Sequence, residues 1–125
     1  MVVKMRIKLR SKPRIFEVNA GKIKDLGKIY LNDCEMISFV TKSGRECDFA
    51  AKKWGFYLGP SLNSRLKKEG FKVALVINKK GQLYVNAVEK DKIKLFRHYL
   101  VTGQNSKIIC WLDEWNNNRF LRGER

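Results

Sequence analysis

The sequence predicts an α+β fold: a mainly antiparallel sheet of six to eight strands built from hairpins, with two helices packed against it. Three observations lead there. Two pairs of β-rich segments face each other across turn residues, "EMISFVT" and "RECDFAA" around "KSG", and "FKVALVIN" and "LYVNAVE" around "KKGQ". The opening stretch "VVKMRIKLR" alternates apolar and charged residues with a period of two. Two other segments, "SLNSRLKKEG" and "KDKIKLFRHYLVTG", place apolar residues three and four apart, the spacing of one helical face.

In chain order, Val2–Arg10 is the first strand. "RIFEVNA" follows a break at Pro13 and is the second, with Ile15, Phe16 and Val18 as its apolar residues. "GKIKDLGKIYL" carries two glycines and reads as a turn and a short strand over Lys28–Leu31. The first hairpin sets Met36, Ile37, Phe39 and Val40 against Cys47 and Phe49, with Gly44 in its loop. Gly59 and Pro60 stop the extended pattern, and Ser61 caps a helix to about Glu69 that Gly70 closes. Leu62 and Leu66 form its buried edge. The apolar run Val73–Ile77 reads as a central strand covered on both faces. Ile93, Phe96, Tyr99 and Leu100 share a face of the second helix, and Ile108–Leu112 is the last strand. The expected organisation is one domain over 1–115 and a flexible basic tail over 116–125.

The 125 residues suit one domain of ordinary size, and 44% hydrophobic residues can fill a core, which excludes a disordered polyelectrolyte. Against that core stand 27 Lys and Arg with 12 Asp and Glu, a net charge of +15. Such an excess repels itself in the folded state unless an anionic partner relieves it. Cys34, Cys47 and Cys110 are far apart and odd in number, which supports neither a zinc site nor a disulfide scaffold. They read as reduced thiols, and a cytoplasmic location is expected. No apolar run reaches the roughly 20 residues that span a bilayer, and the basic N-terminus lacks the apolar core of a secretory signal.

The charge is patterned. Residues 1–25 carry eight cations against two anions, and residues 61–100 carry ten against three. Lys4, Arg6, Lys8, Arg10, Lys12 and Arg14 occupy consecutive even positions. On a strand these repeat at about 6.6–6.8 Å along one face, close to the phosphate spacing of an extended nucleic-acid strand. The plainer alternative is the solvated face of a half-buried strand, where lysines also discourage edge-to-edge association. Six like charges exceed what solubility needs, because mixed signs solubilise equally well. A second zone, "AKKWGFYLGPSLNSRLKK", interleaves Trp54, Phe56 and Tyr57 with Lys52, Lys53, Arg65, Lys67 and Lys68. That mixture suits stacked bases and neutralised phosphates, with Trp54 and Tyr57 as the stacking pair and Phe56 as a core anchor. Ser61, Asn63 and Ser64 at the helix start are candidate anion donors.

No enzyme class is supported. His98, the single histidine, sits beside an apolar helical face and reads as packed or solvated. Asp48, Glu89, Asp91, Asp113 and Glu114 form no recognisable acid/base couple, and "GPSLNSRL" lacks the lysine ending of a phosphate-cradling loop. No cofactor and no metal is indicated. The expected function is a small nucleic-acid-binding module favouring RNA or single-stranded DNA. Two alternatives stand beside it: an accessory or inhibitory subunit docking an acidic protein, and a binder or enzyme for a phosphorylated small molecule at the helix start near Ser61. Oligomeric state is not legible.

Overall fold

In a computed structural model, which describes residues 6–18 and 21–115, the hairpins form but do not merge into one sheet. Eight antiparallel strands fall into three separate sheets, accompanied by two helices. The α+β class stands, and the expectation of a single six-to-eight-strand sheet is corrected. The interruptions are local. A turn over Asn32–Glu35, with Cys34 in a left-handed conformation at φ 66°, separates the second strand from the third. Pro60 and a helix separate the fifth from the sixth. The expected tail over 116–125 and Lys4 lie outside the described residues.

Strands β1 to β5 belong to one compact unit. β1 (Arg6–Val18) and β2 (Gly21–Tyr30) form a two-stranded ribbon. β3 (Met36–Val40), β4 (Glu46–Lys52) and β5 (Gly55–Leu58) form a meander with β4 in the middle. The middle strand carries the buried residues Cys47, Ala50 and Ala51. Burial, helped by the charge of Asp48, pushes the Cys47 thiol up, as expected of a core cysteine and not of a nucleophile.

Several expectations fail in this unit. Pro13 does not divide β1, which runs on through it, and β2 is far longer than Lys28–Leu31. In a two-stranded ribbon every residue lies beside an open edge, so a missing N–H is tolerated where the ladder is already interrupted. Nor is the first strand half-buried. Ile7 and Leu9, the apolar half of its alternation, are exposed along with the cations.

The second unit holds α1 (Arg65–Glu69), β6 (Phe71–Asn78), β7 (Leu83–Glu89), α2 (Ile93–Tyr99) and β8 (Ser106–Trp111). Its sheet has the order β7–β6–β8. β6 is therefore central, as its apolar run predicts, and buries Phe71, Val73, Ala74 and Val76. Leu66 is completely buried on α1, and Gly70 closes that helix at φ 102°. Full burial of Leu66 or Val76 stabilises by about 1.5–3 kcal/mol each. Leu100 joins Ala74 and Val76, with Phe96, Ile108 and Trp111 packed around them. Tyr99 stays 38% exposed instead of sharing that face, because Phe96 and Leu100, four apart, already make the contact.

After β8 a tight turn over Leu112–Glu114 brings Asp113 under β6. Its buried carboxylate accepts from the Val73 N–H at 2.9 Å and from Lys72 Nζ at 2.8 Å. Lys72 also reaches Glu114 at 2.6 Å and lies 5.0 Å from the Trp111 ring centroid. Burial alone raises an aspartate, but here the hydrogen bonds from Lys72 and Val73 prevail and hold Asp113 below its ordinary value of 3.8. A lowered carboxylate stabilises the fold above the unfolded value, and that contribution fades as pH falls through 3.8 and below. Asp113→Ala is expected to cost about 1–3 kcal/mol, since the Val73 N–H loses its acceptor. Asp113→Asn is expected to flatten the acid limb of stability; urea titrations between neutral and acidic pH measure both.

Candidate nucleic-acid interface

The basic strand expected from the sequence acquires its shape from a bulge. Arg6 pairs with Tyr30, Lys8 with Lys28 and Leu9 with Gly27; pairing then resumes at Arg14 with Asp25. Arg10, Ser11, Lys12 and Pro13 thus stand against Leu26 alone. Surplus residues on one strand force it to arch. Gly27 allows the strands to meet at the base of the arch: it sits at φ 147°, and a Cβ there would lie 2.2 Å from the Lys8 carbonyl oxygen. Any side chain would push β1 and β2 apart.

One carboxylate ties the arch. Asp25 accepts from Arg14 Nε at 2.8 Å, from Arg10 Nε at 3.2 Å and from the Gly27 N–H at 3.1 Å. It therefore links the first residue of the bulge and the residue just beyond it to the glycine that permits it. The Arg14 hydrogen bond, aided by Gly27 and the charge of Arg10, holds Asp25 below 3.8 against the opposing effect of partial burial. Its ion pairs are intact at neutral pH and are lost as pH falls below that value.

The arch encloses a concavity of about 390 Å³ lined by Lys8, Leu9, Arg10, Ser11, Lys12, Gly27 and Lys28. That volume lies within the range of about 300–1,000 Å³ typical of small-ligand sites. Among the described residues no acid lines it. Lys8 and Lys28 are direct cross-strand partners, so both side chains leave the ribbon on the same face with Cβ atoms about 4.5–5.5 Å apart. Like charges so placed repel. Among the described residues no ion pair compensates Lys8, Lys12 or Lys28, whereas Arg10 is held by Asp25 and Arg6 by Glu35 at 3.2 Å.

The same unit presents an aromatic hairpin. β4 turns into β5 through Lys53 and Trp54, with Gly55 at φ 142°. The Lys53 N–H is held by Asp33 at 3.0 Å. Trp54 is 70% exposed and stacks on Tyr57 with ring centroids 5.8 Å apart and planes inclined by 27°. Phe56, expected in the core, is 65% exposed, because it lies on an outer strand opposite the already buried Ala51. Lys52 is engaged within the chain: it donates to Cys34 Sγ at 3.1 Å and lies 4.0 Å from Asp33. The Cys34 hydrogen bond and the Asp33 charge hold its ammonium above the ordinary range.

The remaining sequence candidates lie in the second unit. Arg65, Lys67 and Lys68 are exposed on α1, the two lysines in its last turn where the helix dipole favours them. The start of that five-residue helix satisfies itself. Ser61 Oγ accepts from the Arg65 N–H at 3.0 Å, and the Ser61 carbonyl accepts from the Leu66 N–H at 2.9 Å. Asn63 and Ser64 are exposed, and Ser64 makes no capping bond. The N–H groups of Ser64, Arg65, Leu66 and Lys68 are thus in use within the chain.

Lys28 escaped the sequence reading, because its place beside Lys8 follows from strand register alone. Lys12 belongs to the visible alternation, yet its role in the concavity requires the bulge. The signals available were Pro13 within a strand pattern and Gly27 across from it. Comparison with protein families, with curated proteins and with solved structures gives no match to this chain.

Gly27→Ala is expected to destabilise the ribbon by at least ~1 kcal/mol, since alanine at positive φ meets backbone that cannot yield. Cross-strand contacts between Leu9 and residue 27, followed by nuclear Overhauser effects, are expected to disappear.

Proposed function

We propose that this protein binds single-stranded nucleic acid, RNA or DNA, as a non-enzymatic module. The carrying observation is the uncompensated Lys8–Lys28 pair at the mouth of the cationic concavity. Bringing two ammonium groups together with no carboxylate between them costs free energy, which a phosphate placed there recovers. Lys12 and Arg10 lie within reach of the same anion or its neighbour along the chain. Lysines act as point charges and read no base, so this contact is independent of sequence. Trp54 and Tyr57 supply an exposed stacking surface in the same unit, and stacking is available only to unpaired bases.

A docking role toward an acidic protein has one observation in its favour. The β1–β2 ribbon is a sheet of two strands, so each strand keeps an unpaired edge among the described residues, and a basic edge can accept an acidic strand. Nuclease sensitivity of the copurifying material separates the readings: nucleic acid is lost on digestion, an acidic protein is retained.

Fluorescence anisotropy with a labelled oligonucleotide tests the proposal. Affinity is expected to fall steeply with salt, and each phosphate-contacting lysine removed should reduce the log–log slope by about 0.7–1. Lys8→Glu with Lys28→Glu is expected to weaken binding at least tenfold. Trp54→Ala should cost about 1–3 kcal/mol while leaving the slope unchanged. Affinity that did not respond to salt would refute the proposal.

A further inference from the structure

We infer that the second unit carries its own phosphodiester-contacting site, where the β6–β7 turn meets the start of β8. Its chemistry as a nucleic-acid site rests on the function proposed above, while its geometry is independent of the ribbon.

A second concavity, of about 460 Å³, lies there, lined among others by Asn78, Lys79, Asn105, Ser106 and Lys107. Among the described residues no acid lines it. Lys79 and Lys107 line it from the β6–β7 turn and from β8. Lys107 is anchored by pairing with Ile77 on the central strand, and Lys79 begins the turn that follows Asn78. Neither lysine has an ion pair or side-chain hydrogen bond among the described residues, and both are exposed.

The turn that presents Lys79 is rigid. Asn78 Oδ1 accepts from the Lys80 N–H at 3.0 Å and the Gln82 N–H at 2.9 Å, while Asn78 Nδ2 donates to Gln82 Oε1 at 2.8 Å. The Gly81 N–H closes the turn on the Asn78 carbonyl at 3.1 Å, at a φ of 79° that glycine adopts freely. A side chain that makes three hydrogen bonds to its own turn favours one shape for that turn. The backbone of Lys79 therefore sits on a hydrogen-bonded turn and that of Lys107 on a paired strand, both lining one concavity, and less backbone ordering entropy opposes binding. Two point charges without a planar guanidinium fork attract a phosphate wherever it sits in the backbone, without reading its bases. The motif resembles the ribbon site in kind: two lysines distant in sequence line one concavity.

Stoichiometry provides the test. In isothermal titration of the full chain with hexauridylate at low salt, the wild-type protein is expected to bind two equivalents. Lys79→Glu with Lys107→Glu is expected to bind one, and Lys8→Glu with Lys28→Glu is also expected to bind one. Lys79→Arg with Lys107→Arg should retain two, and thermal melting should show that each variant folds. Saturation of the wild type at one equivalent, abolished by the Lys8 and Lys28 reversals and untouched by those at Lys79 and Lys107, would overturn this inference and leave the proposed function standing. No binding by the wild type at all would overturn the proposed function itself.

Discussion

The ribbon depends on the carboxylate of Asp25. Three donors converge on it: Arg10 from within the bulge, Arg14 from its far end, and the Gly27 N–H two residues along β2. A two-stranded ribbon without a packed face is at best marginally stable in water, so an irregularity in its middle needs an explicit tie. Asp25 supplies that tie and also sets the charge pattern. By pairing with the arginines it orders them, and among the described residues no ion pair compensates Lys8, Lys12 or Lys28 around the concavity. The acid that stabilises the arch is thus the reason the arch remains cationic inside.

Stability and proposed function are divided between different parts of the chain. The fully buried side chains Leu66, Val73 and Val76 all lie in the second unit, as does the Asp113 lock on β6. The ribbon, by contrast, exposes apolar and charged residues together; even Leu9 is 72% exposed. A protein with a net charge of +15 stores self-repulsion when free, and a polyanion that binds only the folded state stabilises it by mass action.

The parts of this fold that were legible in the sequence are those governed by near neighbours. Gly44 and Gly81 lie in the turns of the two hairpins, and both occupy the positive φ that those turns require. The apolar run of β6 announced a central strand, and Gly70 announced the end of α1. What escaped was governed by register and by distant contacts. Pro13 reads as a break on local grounds, yet a ribbon with open edges absorbs it in a bulge. Lys28 lies twenty residues from Lys8 and meets it only because Gly27 lets the strands close at that point. Asp113 looked like one of several scattered acids, and its importance comes from the Val73 N–H forty residues away. Among the sequence candidates, burial and pairing removed Lys52 from the available cations and moved Phe56 from core to surface.

Photo-crosslinking addresses the central claim most directly. An oligonucleotide carrying a photoreactive uridine, irradiated with the full-length protein and mapped by mass spectrometry, reports which residues lie against the bases and backbone. Crosslinks within Arg6–Val18 or Gly21–Tyr30, accompanied by adducts at Trp54 or Tyr57 and lost when Asp25 is replaced, are the result the account predicts. Efficient crosslinking that left the ribbon and the aromatic hairpin unmarked, or that persisted unchanged without Asp25, would contradict it.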